Sequence, residues 1–353
     1  MRIVHLIWSL NVGGSEMLLV DIANEQSLTD EVIVVIGNSC VDLRVLDQFS
    51  SHVQVKQLGR PPGTRNPWYL LRLYRMLRTI NADVIHAHLE SFIKIIRFLD
   101  TPRFLTVHDT GLPMTSMRNK YDAVFSISDA VKKDISDRYP GISAETILNG
   151  INISSVTHKS HFGNSPFRIV QVSRLNHEKK GQDVLLRALK YVNATIGVGN
   201  VTVDFIGDGA SREYLVSLAN ELEVGDQCNY LGKRSRSYIY QNLYSYDLLV
   251  QPSRFEGFGL TVVEAMAALV PVLVSNIEGP MEIIDNGKYG YFFDVGDHMD
   301  CGKAIVKIIK ISGEQDFAKE RRRGEQYVQS IFNISSTAQE YRRKYSELID
   351  GRK

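Results

Sequence analysis

The stretch RFEGFGLTVVEAMAALVP, residues 254–271, carries two glutamates eight positions apart, Glu256 in a Gly/Phe loop and Glu264 inside an apolar run. Paired carboxylates act as nucleophile and acid when they flank a scissile glycosidic bond. The surroundings here favour another use. Residues 248–251 read as a strand, a loop follows, and a helix begins near Leu260. The amides of Phe258, Gly259 and Leu260 would then project from a positive helix end, ready for phosphate. Glu264 would lie about one turn further in, where a carboxylate accepts ribose hydroxyls. Its neighbours are apolar on every side, and a buried carboxylate needs a partner. Glu256, in the loop, is better placed for the hydroxyls of a sugar.

Three further loops follow strands. NVGGSE (11–16) places Gly13 and Gly14 before a helix near Ser15, where backbone approaches a ligand closely or simply turns. It lacks the GxGxxG spacing of a dinucleotide site. VSRLNHEKKGQD (172–183) brings Arg174 and Lys180 to a strand's carboxyl end, where two cations neutralise a diphosphate or form a solvated basic loop. FIGDGASR (205–212) sets Gly207 and Gly209 in a turn against which a base or ribose could lie. His108, beside Asp109, ends an apolar strand at the edge where active sites form. His86 and His88 alternate onto one strand face, but no third ligand stands at telling spacing, so no metal is expected.

The elements that must position these residues repeat a β-α rhythm. Apolar runs at 3–8, 32–37, 53–58, 84–88, 104–108 and 124–128 read as strands, with helices at 15–24, 67–80 and 129–139 between them. Asp129 reads as the N-cap of the last of these. The polar stretch 156–166 reads as a linker, and the rhythm restarts at 168–173, 201–207, 229–232, 248–251, 270–275 and 290–294. The chain is thus α/β, with two doubly wound domains: residues 1–155, residues 166–334, and a helix at 335–353 that crosses back to the first. In such folds ligands bind beyond the carboxyl ends of the strands, so a cleft between domains is the place to look.

Composition limits the partners. The 353 residues are 44% hydrophobic and 23% charged with a net charge of +1, which gives no general pull toward nucleic acid. Three scattered cysteines, Cys40, Cys228 and Cys301, suit a reducing compartment. The amino end reads as a first strand and not a signal peptide, and no apolar run is long enough for a span. A cytoplasmic protein is expected. The segment 66–80 carries Arg72, Arg75 and Arg78, and 90–103 adds Lys94, Arg97 and Arg103 among apolar residues. Such a surface is either ordinary solvated helix or a contact for anionic lipid.

Taken together, these motifs resemble the retaining, nucleotide-sugar-dependent glycosyltransferases of family four, which have the GT-B architecture of two Rossmann-like domains facing each other across a cleft. The resemblance rests on Gly13-Gly14, DVIHAH (83–88), His108, SISDA (126–130), NGI (149–151), SRL…KKGQD (173–183), GDG (207–209) and, most specifically, Glu256-x7-Glu264. It implies that Arg174 and Lys180 bind the donor diphosphate, with Lys179 as the fallback. It further implies that Glu264 holds the ribose, and that Glu256 with the Phe258–Leu260 backbone holds the sugar and phosphates. Gly13 and Gly14 would approach the diphosphate and acceptor, and His108 would contact the transferred sugar. Reaction on a single face, with the leaving diphosphate helping to deprotonate the acceptor, is what the resemblance implies for mechanism. No Asp-x-Asp triplet occurs, so neither metal nor other cofactor is expected. The expected donor is a UDP-sugar, then a GDP-sugar. The expected acceptor is a glycan or polyprenyl-diphosphate-linked saccharide, as in bacterial surface polysaccharide (O-antigen, capsule) assembly at the inner membrane. A GT-B epimerase, a phosphorylase, a non-catalytic sugar-nucleotide binder and an NAD-dependent dehydrogenase are the rival readings.

Overall fold

A computed structural model describes residues 1–11, 13–114, 120–159 and 165–351. The chain forms two compact units, Met1–Ile151 with Phe332–Lys353, and Asn152–Ile331.

In the first unit seven strands form one sheet: β1 (Arg2–Ile7), β2 (Glu31–Asn38), β3 (Val53–Arg60), β4 (Val84–Ala87), β5 (Arg103–Val107), β6 (Ala123–Ser126) and β7 (Ala144–Thr146). Their order is β3-β2-β1-β4-β5-β6-β7, and every pairing is parallel. The order reverses between β1 and β4, so a switch point lies where these two strands end. The runs that predicted strands are apolar because helices cover both faces; Val32, Val34, Val35 and Ile36 are all fully buried. Strand β7 escaped the sequence reading. It is three residues long and exposes Glu145, too little for a pattern to show.

The helix Asp129–Arg138 corrects one capping expectation. Ser128, not Asp129, is the N-cap: its hydroxyl accepts from the Val131 amide at 3.1 Å. The Asp129 carboxylate instead accepts from Thr146 Oγ1 at 2.6 Å. The last helix, Ile334–Asp350, packs in this same unit. Its fully buried Tyr341 and Tyr345 join Ile3, Phe104 and Phe125 in one core. Arg342 and the chain's amino group both pair with Asp30 beside it. Burial alone would raise the Asp30 carboxyl, but those two cations outweigh it and hold it low.

The second unit holds β8 (Phe167–Val172), β9 (Val201–Ile206), β10 (Cys228–Gly232), β11 (Leu248–Gln251), β12 (Val272–Ser275) and β13 (Tyr291–Phe293). Their order is β10-β9-β8-β11-β12-β13, again wholly parallel. Here the switch point falls between β8 and β11. The described part of the stretch read as a linker is anchored to this unit. Lys159 is buried, and its ammonium lies 2.8 Å from Asp247 Oδ1 while its amide donates to the Ala268 carbonyl. A lysine leaves water only with such partners, which a polar-stretch reading does not anticipate. Residues 160–164 of that stretch lie outside the described residues.

Candidate functional site

In the second unit the predicted residues gather at the carboxyl ends of β8, β9 and β11. Strand β8 runs into Ser173–Asn176, and a single helical turn, His177–Lys180, follows with Asn176 as its cap. Gly181 ends that turn with φ +66°, and a Cβ there would lie 1.8 Å from the Pro252 carbonyl oxygen. Only glycine lets this loop rest on the loop after β11. Gly207, with φ +143°, presses in the same way on the Ser173 carbonyl oxygen, 1.9 Å from where a Cβ would be. The Gly207–Gly209 turn, expected beside a base or ribose, therefore has a packing duty of its own.

The side chains form a linked set. Lys180 Nζ lies 2.5 Å from Glu256 Oε2, and Gln251 Nε2 donates to the same oxygen at 2.8 Å. Gln251 Oε1 in turn accepts from Thr261 Oγ1, 2.7 Å away, in the first turn of the helix Leu260–Ala267. Glu256 Oε1 makes no hydrogen bond to a described residue. Gly259 caps that helix, Phe258 is buried, and the amides of Gly259 and Leu260 belong to the first turn, which no backbone carbonyl of the helix can reach. Arg174 stands exposed and makes no ion pair among the described residues, while its carbonyl accepts from Gln182 Nε2 at 3.0 Å. Lys179 uses its carbonyl to accept from the Arg254 amide.

Arg254 makes two 2.8 Å contacts with Asp183, tying the loop after β11 to the helix Gln182–Ile196. Burial would raise the Asp183 carboxyl, but the hydrogen bond and charge of Arg254 prevail and lower it. Sequence reading missed Arg254, Gln251 and Arg236. Gln251 could have been found, because a polar residue ending an apolar strand at a switch point is the expected place for one. Arg236 carried no such signal, and it changes the argument about Glu264. Its guanidinium Nε lies 3.7 Å from Glu264 Oε1, with both side chains buried. Glu264 thus has a protein partner, and the need of a buried carboxylate does not by itself call for a ribose.

In the first unit Gly13 caps the helix Gly14–Gln26, and Glu16 Oε2 lies 2.6 Å from where a Gly13 Cβ would be. That carboxylate sits at the helix end expected to face an anion. Beyond β5, His108 belongs to a buried group of imidazoles. His5 on β1 supplies the member that the sequence reading lacked. His5, His86 and His88 have ring nitrogens within 4.8 Å of one another, as metal ligands would. The rings, however, are hydrogen-bonded and stacked. His5 Nδ1 lies 3.0 Å from His88 Nε2, and His88 Nδ1 lies 2.9 Å from His108 Nε2. His86 stacks on His88 at 4.6 Å and 26°, with its nitrogens 2.5 Å from Tyr345 OH and 2.7 Å from Thr106 Oγ1. The stacked rings of His86 and His88 set their lone pairs side by side, and every ring nitrogen of the three already faces a hydrogen-bonding partner. Burial pushes His5 and His108 down to about 4, and His86 and His88 well below the ordinary range.

A cavity of about 540 Å³, lined by Tyr289, Tyr291, Phe317 and Arg321 among others, opens at the amino ends of β12 and β13. It takes in none of the residues above.

Comparison with known sequences assigns the chain. Residues 156–328 match the family described as Glycosyl transferases group 1, and residues 12–155 match Glycosyltransferase Family 4.

The chain belongs to glycosyltransferase family 4.

Among curated proteins this family member is 26% identical over 239 residues to glycogen synthase of Mycobacterium tuberculosis, covering 60% of this chain and 56% of that one. It is 28% identical over 276 residues to phosphatidyl-myo-inositol mannosyltransferase of Propionibacterium freudenreichii, covering 72% of this chain and 68% of that one. The match to the glycogen synthase thus spans little more than half of its length. Among solved structures, Anabaena HepE in complex with UDP and glucose superposes with a TM-score of 0.81 at 20% identity, covering 98% of this chain and 99% of that one. The fold is therefore GT-B. Among the described residues, no helix is long and apolar enough to cross a membrane.

Proposed function

We propose that this protein transfers a hexose or N-acetylhexosamine, with retention, from a nucleotide-diphosphate sugar to a hydroxyl of a glycan or lipid-linked saccharide. A UDP-sugar is the first candidate donor and a GDP-sugar the second. The observation that carries the reading is the Thr261–Gln251–Glu256–Lys180 chain at the carboxyl ends of β8 and β11. It sets one ammonium, one carboxylate and a helix amino end within a few ångströms. Those are the groups that a diphosphate joined to a polyhydroxyl sugar requires.

In this reading Lys180 and Arg174 take up the charge that develops on the leaving diphosphate, with the Gly259 and Leu260 amides beside them. Lys179 is the alternative to Lys180. Glu256 accepts from sugar hydroxyls through its second oxygen, Oε1. Glu264 accepts from the ribose, with Arg236 beside it. Gly13 and Gly14 let backbone approach the phosphates, and His108 meets the transferred sugar. With cations and amides supplying the charge, no metal is required. Exposed Trp68, Leu70 and Leu71 beside Arg72, Arg75 and Arg78 suit peripheral contact with an anionic membrane surface, where a polyprenyl-linked acceptor in surface-polysaccharide assembly would reside.

The test is incubation with UDP- and GDP-sugars, followed by proton NMR of the first-formed product. An anomeric coupling unchanged from the donor supports the proposal, and an inverted one refutes retention.

A further inference from the structure

Four residues of the first unit stand in series. His5 Nε2 lies 2.8 Å from Gln26 Oε1, His5 Nδ1 lies 3.0 Å from His88 Nε2, and His88 Nδ1 lies 2.9 Å from His108 Nε2. Gln26, His5 and His88 are buried, and at the far end His108 Nδ1 is buried without a hydrogen-bond partner among the described residues.

A neutral imidazole has one N–H donor and one bare acceptor nitrogen, and a carbonyl oxygen only accepts. The Gln26 oxygen therefore obliges His5 to carry its proton on Nε2. His5 Nδ1 is then bare and must receive the proton of His88 Nε2. His88 Nδ1 receives that of His108 Nε2 in the same manner. One amide oxygen thus decides three tautomers, and the last nitrogen in the row is left with a lone pair and no donor. We propose that Gln26, His5 and His88 are positioning residues that lock His108 in the Nε2–H tautomer, presenting its Nδ1 as a bare acceptor to a hydroxyl of the transferred sugar.

The functional half of this proposal rests on the reading that His108 meets the sugar; the lock itself does not. Burial keeps the row neutral, because a second proton on any ring would set N–H against N–H. His86 stands outside the series, and its face against His88 holds the plane of that ring. Specificity follows from the lone pair. A sugar hydroxyl donates to Nδ1, whereas the carboxylate of a uronic acid meets lone pair with lone pair and is rejected.

The test reads tautomers directly. The protein labelled with ¹⁵N in its nine histidines gives long-range ¹H–¹⁵N correlations for each ring. The lock predicts Nε2–H with bare Nδ1 for His5, His88 and His108 near neutral pH. The opposite tautomer, or a mixture, at any of the three overturns it. Gln26→Leu removes the anchor and should mix the three tautomers, with kcat/KM for a nucleotide hexose falling about 3- to 10-fold, the range of one hydrogen bond. Gln26→Glu keeps an acceptor and should restore the wild-type pattern. An unchanged pattern in Gln26→Leu refutes the role of Gln26. Turnover of a nucleotide uronate as fast as the matching hexose refutes the specificity claim. A locked spectrum in a protein that binds no nucleotide sugar refutes the sugar reading and leaves the lock standing.

Discussion

The Lys180 ammonium stands 2.5 Å from Glu256 Oε2, so the residue proposed for the leaving diphosphate and the residue proposed for the sugar neutralise each other. Both side chains are mostly shielded from water, which makes the pairing stronger than a surface bridge. On the proposed reading, donor binding would turn Lys180 from carboxylate toward phosphate, while Glu256 would offer its second oxygen to hydroxyls.

Lys180→Ala should weaken nucleotide-sugar binding about 10- to 100-fold, the equivalent of a charge-assisted hydrogen bond of roughly 1.5–3 kcal/mol. Binding of the nucleoside alone should barely change. Calorimetry on the two ligands separates these outcomes, and equal losses for both would place Lys180 elsewhere.

Glu264 and Arg236 form a buried pair, so removing one partner strands the other charge. Glu264→Ala alone should cost about 3–5 kcal/mol in denaturant unfolding. Arg236→Met with Glu264→Leu should recover most of that loss, because apolar replacement of both is nearly neutral. A recovered fold that still fails to bind donor would separate the ribose role of Glu264 from its structural one.

The histidines predict how stability changes with pH. Burial lowers His5 and His108 to about 4, against about 6.5 in an unfolded chain. Between these values the unfolded state binds more protons than the native one, so stability rises with pH across the window and falls on acidification. Each such group contributes a slope of up to about 1.4 kcal/mol per pH unit. Unfolding in urea at pH 7 and pH 5 should show a clear loss at pH 5, reduced in His5→Phe. Equal slopes in the two proteins would contradict the burial argument.

The helix Trp68–Ile80 buries Leu73, Leu77 and Ile80 and leaves Trp68, Leu70 and Leu71 outward among arginines. Cosedimentation with vesicles rich in phosphatidylglycerol should exceed that with neutral vesicles. It should weaken as salt rises and drop in a Trp68→Ser, Leu71→Ser double variant. Indifference to lipid charge would leave this face an ordinary solvated helix.

The parallel sheets were legible because strands covered on both faces write themselves as apolar runs. So was the local layout around Glu256, since a strand, a glycine loop and a helix start near Leu260 are all local signals. Strand β7 was too short to read, and the Ser128 cap lay one residue before the one expected. The partners of the site were harder. His5 stands 83 positions from His88, and Arg236 stands 28 from Glu264, so only the folded chain brings each pair together. Lys159 read as linker because a lysine among polar residues gives no hint that Asp247 awaits it.

The central claim is that the second unit grips a nucleotide-diphosphate sugar through Lys180, Glu256 and the Leu260 helix end without a metal. Calorimetric titration with UDP-, GDP- and ADP-sugars in the presence of EDTA tests it most directly. The account predicts saturable binding of at least one donor in EDTA, lost or much weakened in Lys180→Ala. Absence of binding by the whole set, or binding that appears only when magnesium is restored, would contradict it.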